Sequence, residues 1–426
     1  MSNASEERTA LGYMEYILEE DHDSEIEENV SEDEDYLEVN DEDYDYDQSN
    51  EETDIRPDAT FMSKNCEIQW SSSPNGRQAT LSAANIMKAV PGPTRMAVSR
   101  VTDIKSAFEL VISNTVLKIV LDMTNLEGRR VYGEEWKELD EMHLHAYLGL
   151  LILAGVYKSK DESTASLWDA DTGRNIFRAT MSLGTFHIFS RVIRFDNRDT
   201  RAGRRERDKL AAIRTVWDKW VERLPLLYNP GPNVTVDERL VAFRGRCPFK
   251  QYMPSKPAKY GLKIWAACDA NSSYALNLQV YTGKPVGGAP EWNQGMRVVL
   301  DMAKGLRGHN ITCDNFFTSY NLGQELLKRK LTMVGTVRKN RTELPAEMLV
   351  IKNRVPQSSK RVLNKELEVI QYNNKTKSGV DTMDQMVRTY TCKRRTQRKP
   401  MVLWHNVLDV ATLNAYFTAQ HPDYVV

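Results

Sequence analysis

Apolar positions recur at three- and four-residue spacing from residue 104 onward. Ile104, Phe108, Val111, Thr115 and Ile119 form one stripe, and Thr102-Asp103 just before it supply an N-cap. The same period predicts helices over 138–157, 164–180, 184–195 and 208–224, the last with Leu210, Ile213, Trp217, Trp220 and Leu224 on one face. Pro225, Pro230 and Pro232 close this helical region, read as one domain over 96–230. After them the period shortens to two. VTVDERLVAF (234–243) and GLKIWAACD (261–269) read as strands, with Leu262, Ile264, Ala266 and Cys268 sharing a face of the second. Tyr274 to Tyr281 alternates Leu276, Leu278 and Val280 against Asn277 and Gln279, and ANSS before it makes a hairpin turn. A helix over 295–307, a strand at 309–314, a helix at 319–329 and a strand at 331–337 complete the pattern.

Three meandering strands followed by alternating helix and strand predict a mixed α/β sheet, the element order of an RNase H-like core, placed over 231–426. That order gives two acids special positions. Asp237 lies inside the first strand among Val234, Val236 and Leu240, where an unpartnered carboxylate is costly. Asp314 ends the fourth strand, which such a fold pairs with the first. Two anions held together need a cation. In SGVDTMDQM (378–386), Asp381 and Asp384 are spaced i, i+3 on one helical face. Three or four convergent carboxylates suit Mg²⁺, or Mn²⁺ in its place. Two such ions about 3.5–4 Å apart would activate a nucleophilic oxygen and stabilise the leaving oxygen of a phosphodiester. Taken one at a time, each Asp reads first as an N-cap, a turn residue or a salt-bridge partner; their joint placement weakens that reading in favour of the metal centre.

Charge points to a partner of matching chemistry. The formal net charge is −2, yet residues 1–60 carry 24 acidic residues against Arg8 and Arg56, leaving 35 acidic and 55 basic residues for the rest. An acidic arm over 1–60 repels itself and buries too little to order, so disorder is expected there; 61–95, with SSSPNG and PGP, reads as a linker. The basic body calls for a polyanion, first of all double-stranded DNA. RGRCPFKQYMPSKPAKYGLK (244–263) sets Arg244, Arg246, Lys250, Lys256, Lys259 and Lys263 among Phe249, Tyr252 and Tyr260, bases for phosphates and rings for unpaired nucleotides. Lys393, Arg394, Arg395, Arg398 and Lys399 form a second cluster, a grip on flanking duplex or a nuclear localisation signal. Arg201, Arg204, Arg205 and Arg207 add a third basic stretch.

Other classes find little support. The longest apolar run, Ala146–Tyr157, is too short for a membrane span of about 20 residues. No signal-peptide pattern opens the chain, five scattered cysteines form no CxxC pair or evident zinc site, and no GxGxxG or P-loop marks a small-molecule cofactor. His143 and His145 fall on different sides of a helix, and Trp217 and Trp220 read as core.

The stretches TVDERLVAFRGRCPFKQYMPSKPAKYGLKIWAACD (235–269), NITCDNFFTS (310–319), VGTVRKNR (334–341) and NNKTKSGVDTMDQM (373–386) resemble those of piggyBac-type transposases and the domesticated proteins derived from them. The resemblance runs from about residue 97 to 420. It implies an RNase H-like core after an all-helical DNA-binding and dimerisation domain, and a homodimer acting on double-stranded DNA in the nucleus. It also implies a catalytic triad at Asp237, Asp314 and Asp381 with Asp384 nearby, two divalent ions, and cleavage and rejoining at TTAA targets. Three departures accompany it: the insertion before the third aspartate is shortened to 341–372, with Leu367, Val369 and Ile370 as one strand; Ser378 stands where the family has glycine; and no cysteine-rich zinc module follows. A catalytically idle DNA-binding or regulatory derivative is therefore the alternative.

Overall fold

The computed structural model describes residues 60–71, 87–283, 291–346 and 365–420. The acidic arm falls almost wholly outside them, as does most of the shortened insertion. The first helices follow the caps. After α1 (Arg95–Val98), Asp103 accepts the Ser106 amide at 2.7 Å while the Ser106 hydroxyl receives the Asp103 amide at 2.9 Å, opening α2 (Ile104–Val111). The long stripe expected here breaks at Ser113, an extended N-cap that starts α3 (Asn114–Tyr132). Ile104 is consequently exposed, and Ala107, Leu110 and Val111 make the buried face.

Helix α4 (Glu141–Val156) follows, capped by Asp140. The helix expected over 164–180 is two, α5 (Thr164–Trp168) and α6 (Asn175–Thr180), because the Asp169 carboxylate accepts the amides of Asp171 and Thr172 and turns the chain. Next come α7 (Leu183–Val192), α8 (Arg201–Arg205), α9 (Arg214–Val221) and α10 (Leu224–Leu227), with Pro225 in the first turn of α10. The stripe from Leu210 to Leu224 is buried, and Trp217 and Trp220 meet edge to face at 5.4 Å in the core.

The described residues of the linker expected over 61–95 contain short strands. Strands β1 (Thr60–Met62) and β2 (Gln69–Ser71) form a hairpin, and Trp70 Nε1 donates to the Glu343 carbonyl at 2.8 Å. Strand β3 (Gly92–Pro93) pairs with β4 (Tyr228–Asn229).

The main sheet is built from β5 (Asn233–Ala242), β6 (Lys250–Met253), β7 (Lys259–Asp269), β8 (Ala275–Val280), β9 (Asn310–Cys313) and β10 (Thr332–Gly335). Its order is β10-β9-β5-β7, with β6 and β8 sharing the outer edge of β7. β9 runs parallel to both β5 and β10; β7 runs antiparallel to β5 and β8. Counted as first to fifth, β5, β7, β8, β9 and β10 lie in the order 3-2-1-4-5, consistent with an RNase H-like core. Strand β6 was not expected, since its four residues, KQYM, carry no clear alternation.

Helices cover both faces. On one, Val234, Val236, Trp265 and Ile311 pack with α11 (Gln294–Met302) and α12 (Tyr320–Lys328). On the other, Leu262, Ile264, Ala266 and Cys268 join the core of the N-terminal helices, α14 (Gly379–Thr389) and α15 (Lys399–Ala419). Two corrections arise here. Leu367, Val369 and Ile370 belong to a helix, α13 (Lys365–Thr376), with Val369 and Ile370 exposed, instead of a strand. Helix α15 is buried nearly all round from Met401 to Ala415, with His405, Asn406 and Asn414 among its buried residues, so no stripe marks it in the sequence. All five cysteines are free, and among the described residues no helix is long and apolar enough to cross a membrane.

Candidate functional site

The parallel register of β5 and β9 ends at Val236 and Cys313. One step further along both strands brings Asp237 beside Asp314. Because β9 stops there while β5 continues against β7, the next residue, Glu238, also reaches the gap. Carboxylate oxygens of Asp237, Glu238 and Asp314 all lie within 4.8 Å of one another.

Burial and crowding raise the proton affinity of Asp237 and Asp314. Burial, reinforced by Glu238 and Asp314, pushes the Asp237 carboxyl up to about 7, against the opposing pull of Lys256. Asp314 is raised by burial and by Glu238, while the Phe316 amide, 2.9 Å away, and Arg338 hold it back. Hard oxygen donors in one partly buried gap fit a divalent cation, whose charge would offset this repulsion.

The helix carrying the other two aspartates lies across β5. Thr235 Oγ1 donates to the Thr376 carbonyl at 2.6 Å, and a Cβ on Gly379 would stand 2.6 Å from Thr235 Oγ1. That close approach belongs to Gly379; its neighbour Ser378 is exposed, so the substitution there faces solvent. Asp381, in the first turn of α14, is 68% exposed and stands outside the cluster of three. Lys256 lies between them: its Nζ donates to the Glu238 carbonyl at 3.0 Å and is 3.9 Å from Asp381 Oδ1. Asp384 is paired with Arg239, whose Nε and Nη2 are 2.9 and 2.8 Å from Oδ1. Arg239 is only 4% exposed and also donates to Met383 Sδ. In this arrangement Asp384 fastens α14 to β5, and it does not join the other carboxylates.

The basic residues divide into two sets. Arg244, Arg246, Lys250 and Lys259 are exposed, beside the half-exposed rings of Tyr252 and Tyr260, whose centroids are 4.7 Å apart. Phe249, expected among the stacking rings, is buried with Lys399 Nζ over its face. Lys263 is also buried, with Nζ 3.9 Å from Glu238 Oε2 and 4.9 Å from the Phe316 ring centre, so it is not a surface contact. The second cluster is largely spent inside the fold. Lys393 donates to the Ala242 carbonyl, Arg394 to that of Ser159, and Arg398 to those of Ser190, Arg191 and Ile193 at the end of α7. Arg395 is exposed. Of the third stretch, Arg201 and Arg204 clasp the buried Asp196.

No pattern in the sequence singles out Glu238 or Arg239, the two residues that follow Asp237. Strand alternation puts Glu238 on the opposite face from Asp237, and only the early end of β9 reunites them.

A mixed sheet of this order, with acids gathered where the parallel pairing of its first and fourth strands stops, is that of a transposase-related protein. The family model described as Transposase IS4 matches residues 104–367 and 350–416. The chain belongs to that family and is of its piggyBac type. It is 28% identical over 244 residues to human PiggyBac transposable element-derived protein 3, covering 54% of this chain and 39% of that one. It is equally similar to the human Chimeric ERCC6-PGBD3 protein, covering 54% of this chain and 22% of that one. The chain thus spans well under half the length of these relatives. A solved piggyBac transposase, in a synaptic complex with hairpin DNA, superposes with a TM-score of 0.72 at 31% identity, covering 78% of each chain.

Proposed function

We propose that this chain is a piggyBac-like transposase, or a domesticated derivative, that cleaves and transfers DNA strands at TTAA-type sites with divalent metal. The observation that carries this reading is the gathering of Asp237, Glu238 and Asp314 where the parallel pairing of β5 and β9 stops. Asp237 and Asp314 would hold Mg²⁺ or Mn²⁺, with Asp381 approaching from α14 as the third catalytic aspartate. A bound ion would supply Lewis-acid activation of the attacking oxygen and charge neutralisation at the phosphate. Arg244, Arg246, Lys250 and Lys259 would bind backbone phosphates, and Tyr252 and Tyr260 would stack on unpaired bases. Double-stranded DNA as partner is supported by the hairpin-DNA complex of the solved relative. A homodimer and residence in the nucleus extend the same reading.

A second reading, a catalytically idle DNA-binding or regulatory derivative, is favoured by the fourth acid. Asp384 is held by Arg239, and Asp381 stands off behind Lys256. Strand cleavage of TTAA-flanked DNA with Mg²⁺ or Mn²⁺ separates the two, comparing wild type with Asp314→Asn. Metal-dependent cleavage lost in the variant supports the enzyme. DNA binding with no cleavage at any metal concentration overturns it in favour of the idle derivative.

A further inference from the structure

Strand β5 presents its acids to two faces. Asp237 shares one with Thr235 and Arg239, under α13 and α14. Glu238 points to the other, toward Lys263 and Trp265 of β7, its registered neighbour being Trp265. Lys263 is unusual among the basic residues of this region. It is 5% exposed, lies over the rings of Phe316 and Trp265 at 4.9 and 5.8 Å, and its nearest carboxylate is Glu238. An ammonium sunk this deep needs an anion, and a carboxylate beside two others needs a cation.

We propose that Glu238 is a further ligand of the divalent cation and that Lys263 is its counter-ion when no metal is bound. This inference rests on the metal-centre reading of Asp237 and Asp314, and adds to it a ligand and a positioning residue. The backbone of Glu238 is already fixed, since its carbonyl accepts the Lys256 ammonium at 3.0 Å and its amide donates to Asp237 Oδ1 at 2.7 Å. Only its side chain is free to exchange partners. Cation binding would draw the Glu238 carboxylate from Lys263 toward Asp237 and Asp314, and Lys263, retained by the two rings, would oppose the incoming charge. Lys263 therefore lowers affinity for metal while stabilising the metal-free site.

Titration of the full chain with Mn²⁺, following the electron paramagnetic resonance signal of free Mn²⁺, tests this without recourse to activity. Glu238→Gln should weaken binding at least about tenfold, Lys263→Met should tighten it several-fold, and Lys263→Arg should restore the wild-type value. Asp237→Asn is the control for the underlying reading. If Asp237→Asn abolishes binding but Glu238→Gln leaves it unchanged, Glu238 is no ligand and the inference falls alone. If Asp237→Asn also binds as wild type, the metal-centre reading falls with it. A folded Lys263→Met that binds no more tightly refutes the counter-ion role; if that variant does not fold, Glu238→Gln decides.

Discussion

Replacing Asp237 by Asn should stabilise the metal-free protein, and the gain should grow with pH. Burial beside Glu238 and Asp314 raises the Asp237 carboxyl from 3.8 to about 7. Below pH 3.8 the group is protonated whether the chain is folded or not. Between these values the unfolded chain has released the proton and the folded chain keeps it, so stability declines as pH rises and levels off above 7. At about 1.4 kcal/mol per unit of displacement, the accumulated cost reaches a ceiling of about 4 kcal/mol at pH 8, of which about 2–3 kcal/mol builds up between pH 5 and 8. An amide carries no such cost, and its oxygen still accepts the Glu238 amide hydrogen bond. Urea unfolding in EDTA at pH 5 and pH 8 measures the difference directly. Divalent metal at a hundredfold excess over Kd stabilises only the wild type, by about 2.7 kcal/mol, which should narrow the gap at pH 8 and invert the order at pH 5. An Asn variant no more stable than wild type at pH 8 in EDTA, with a gap that does not widen from pH 5, would refute the electrostatic account.

Other outcomes follow from the same structure. Asp384→Asn strands the buried Arg239 guanidinium and should cost about 3–5 kcal/mol in denaturant unfolding, whereas a replaceable surface pair would cost under 1 kcal/mol. His405, fully buried on α15 and near Lys393 and Arg398, has its pKa lowered to about 3 by burial and then by these cations. Its neutral form is favoured by folding, so the stability it confers is complete above pH 6.5 and is lost as pH falls toward 3. Wild type should lose about 2 kcal/mol from this group between pH 7 and 5, and a folded His405→Gln should lack that share. Deleting residues 1–60, with 24 acids against two arginines, should raise DNA affinity at fixed low salt if the arm competes for the basic surface; fluorescence anisotropy showing equal affinity would leave it a solubilising tail. Arg244→Ala with Lys259→Ala should weaken DNA binding and flatten its salt dependence, leaving thermal stability unchanged, because both side chains are exposed.

Local signals in the chain were strong wherever an element faces the core on one side and water on the other. The Asp103 cap, the stripe ending at Trp217 and Trp220, and the alternation of Leu276 to Val280 each report such a boundary. The signals failed at elements without one. Helix α15 is buried on every side, and α13 displays Val369 and Ile370 to solvent, so period and hydropathy misreport both. Charge misled in the same way. Lys263 and Arg398 look like surface cations in sequence, yet one is enclosed beside Glu238 and the other binds the carbonyl end of α7.

By itself the sequence determined the order of the five strands and two helices that frame the site, the positions of Asp237 and Asp314 within it, and four family motifs, because these depend on spacing along the chain. Tertiary structure decided which charges meet. The end of β9 one residue before Asp314 admits Glu238 to the acidic gap, and the packing of α14 on β5 commits Asp384 to Arg239. Such pairings join residues on different strands and helices, and no periodicity within one segment encodes the distance between two.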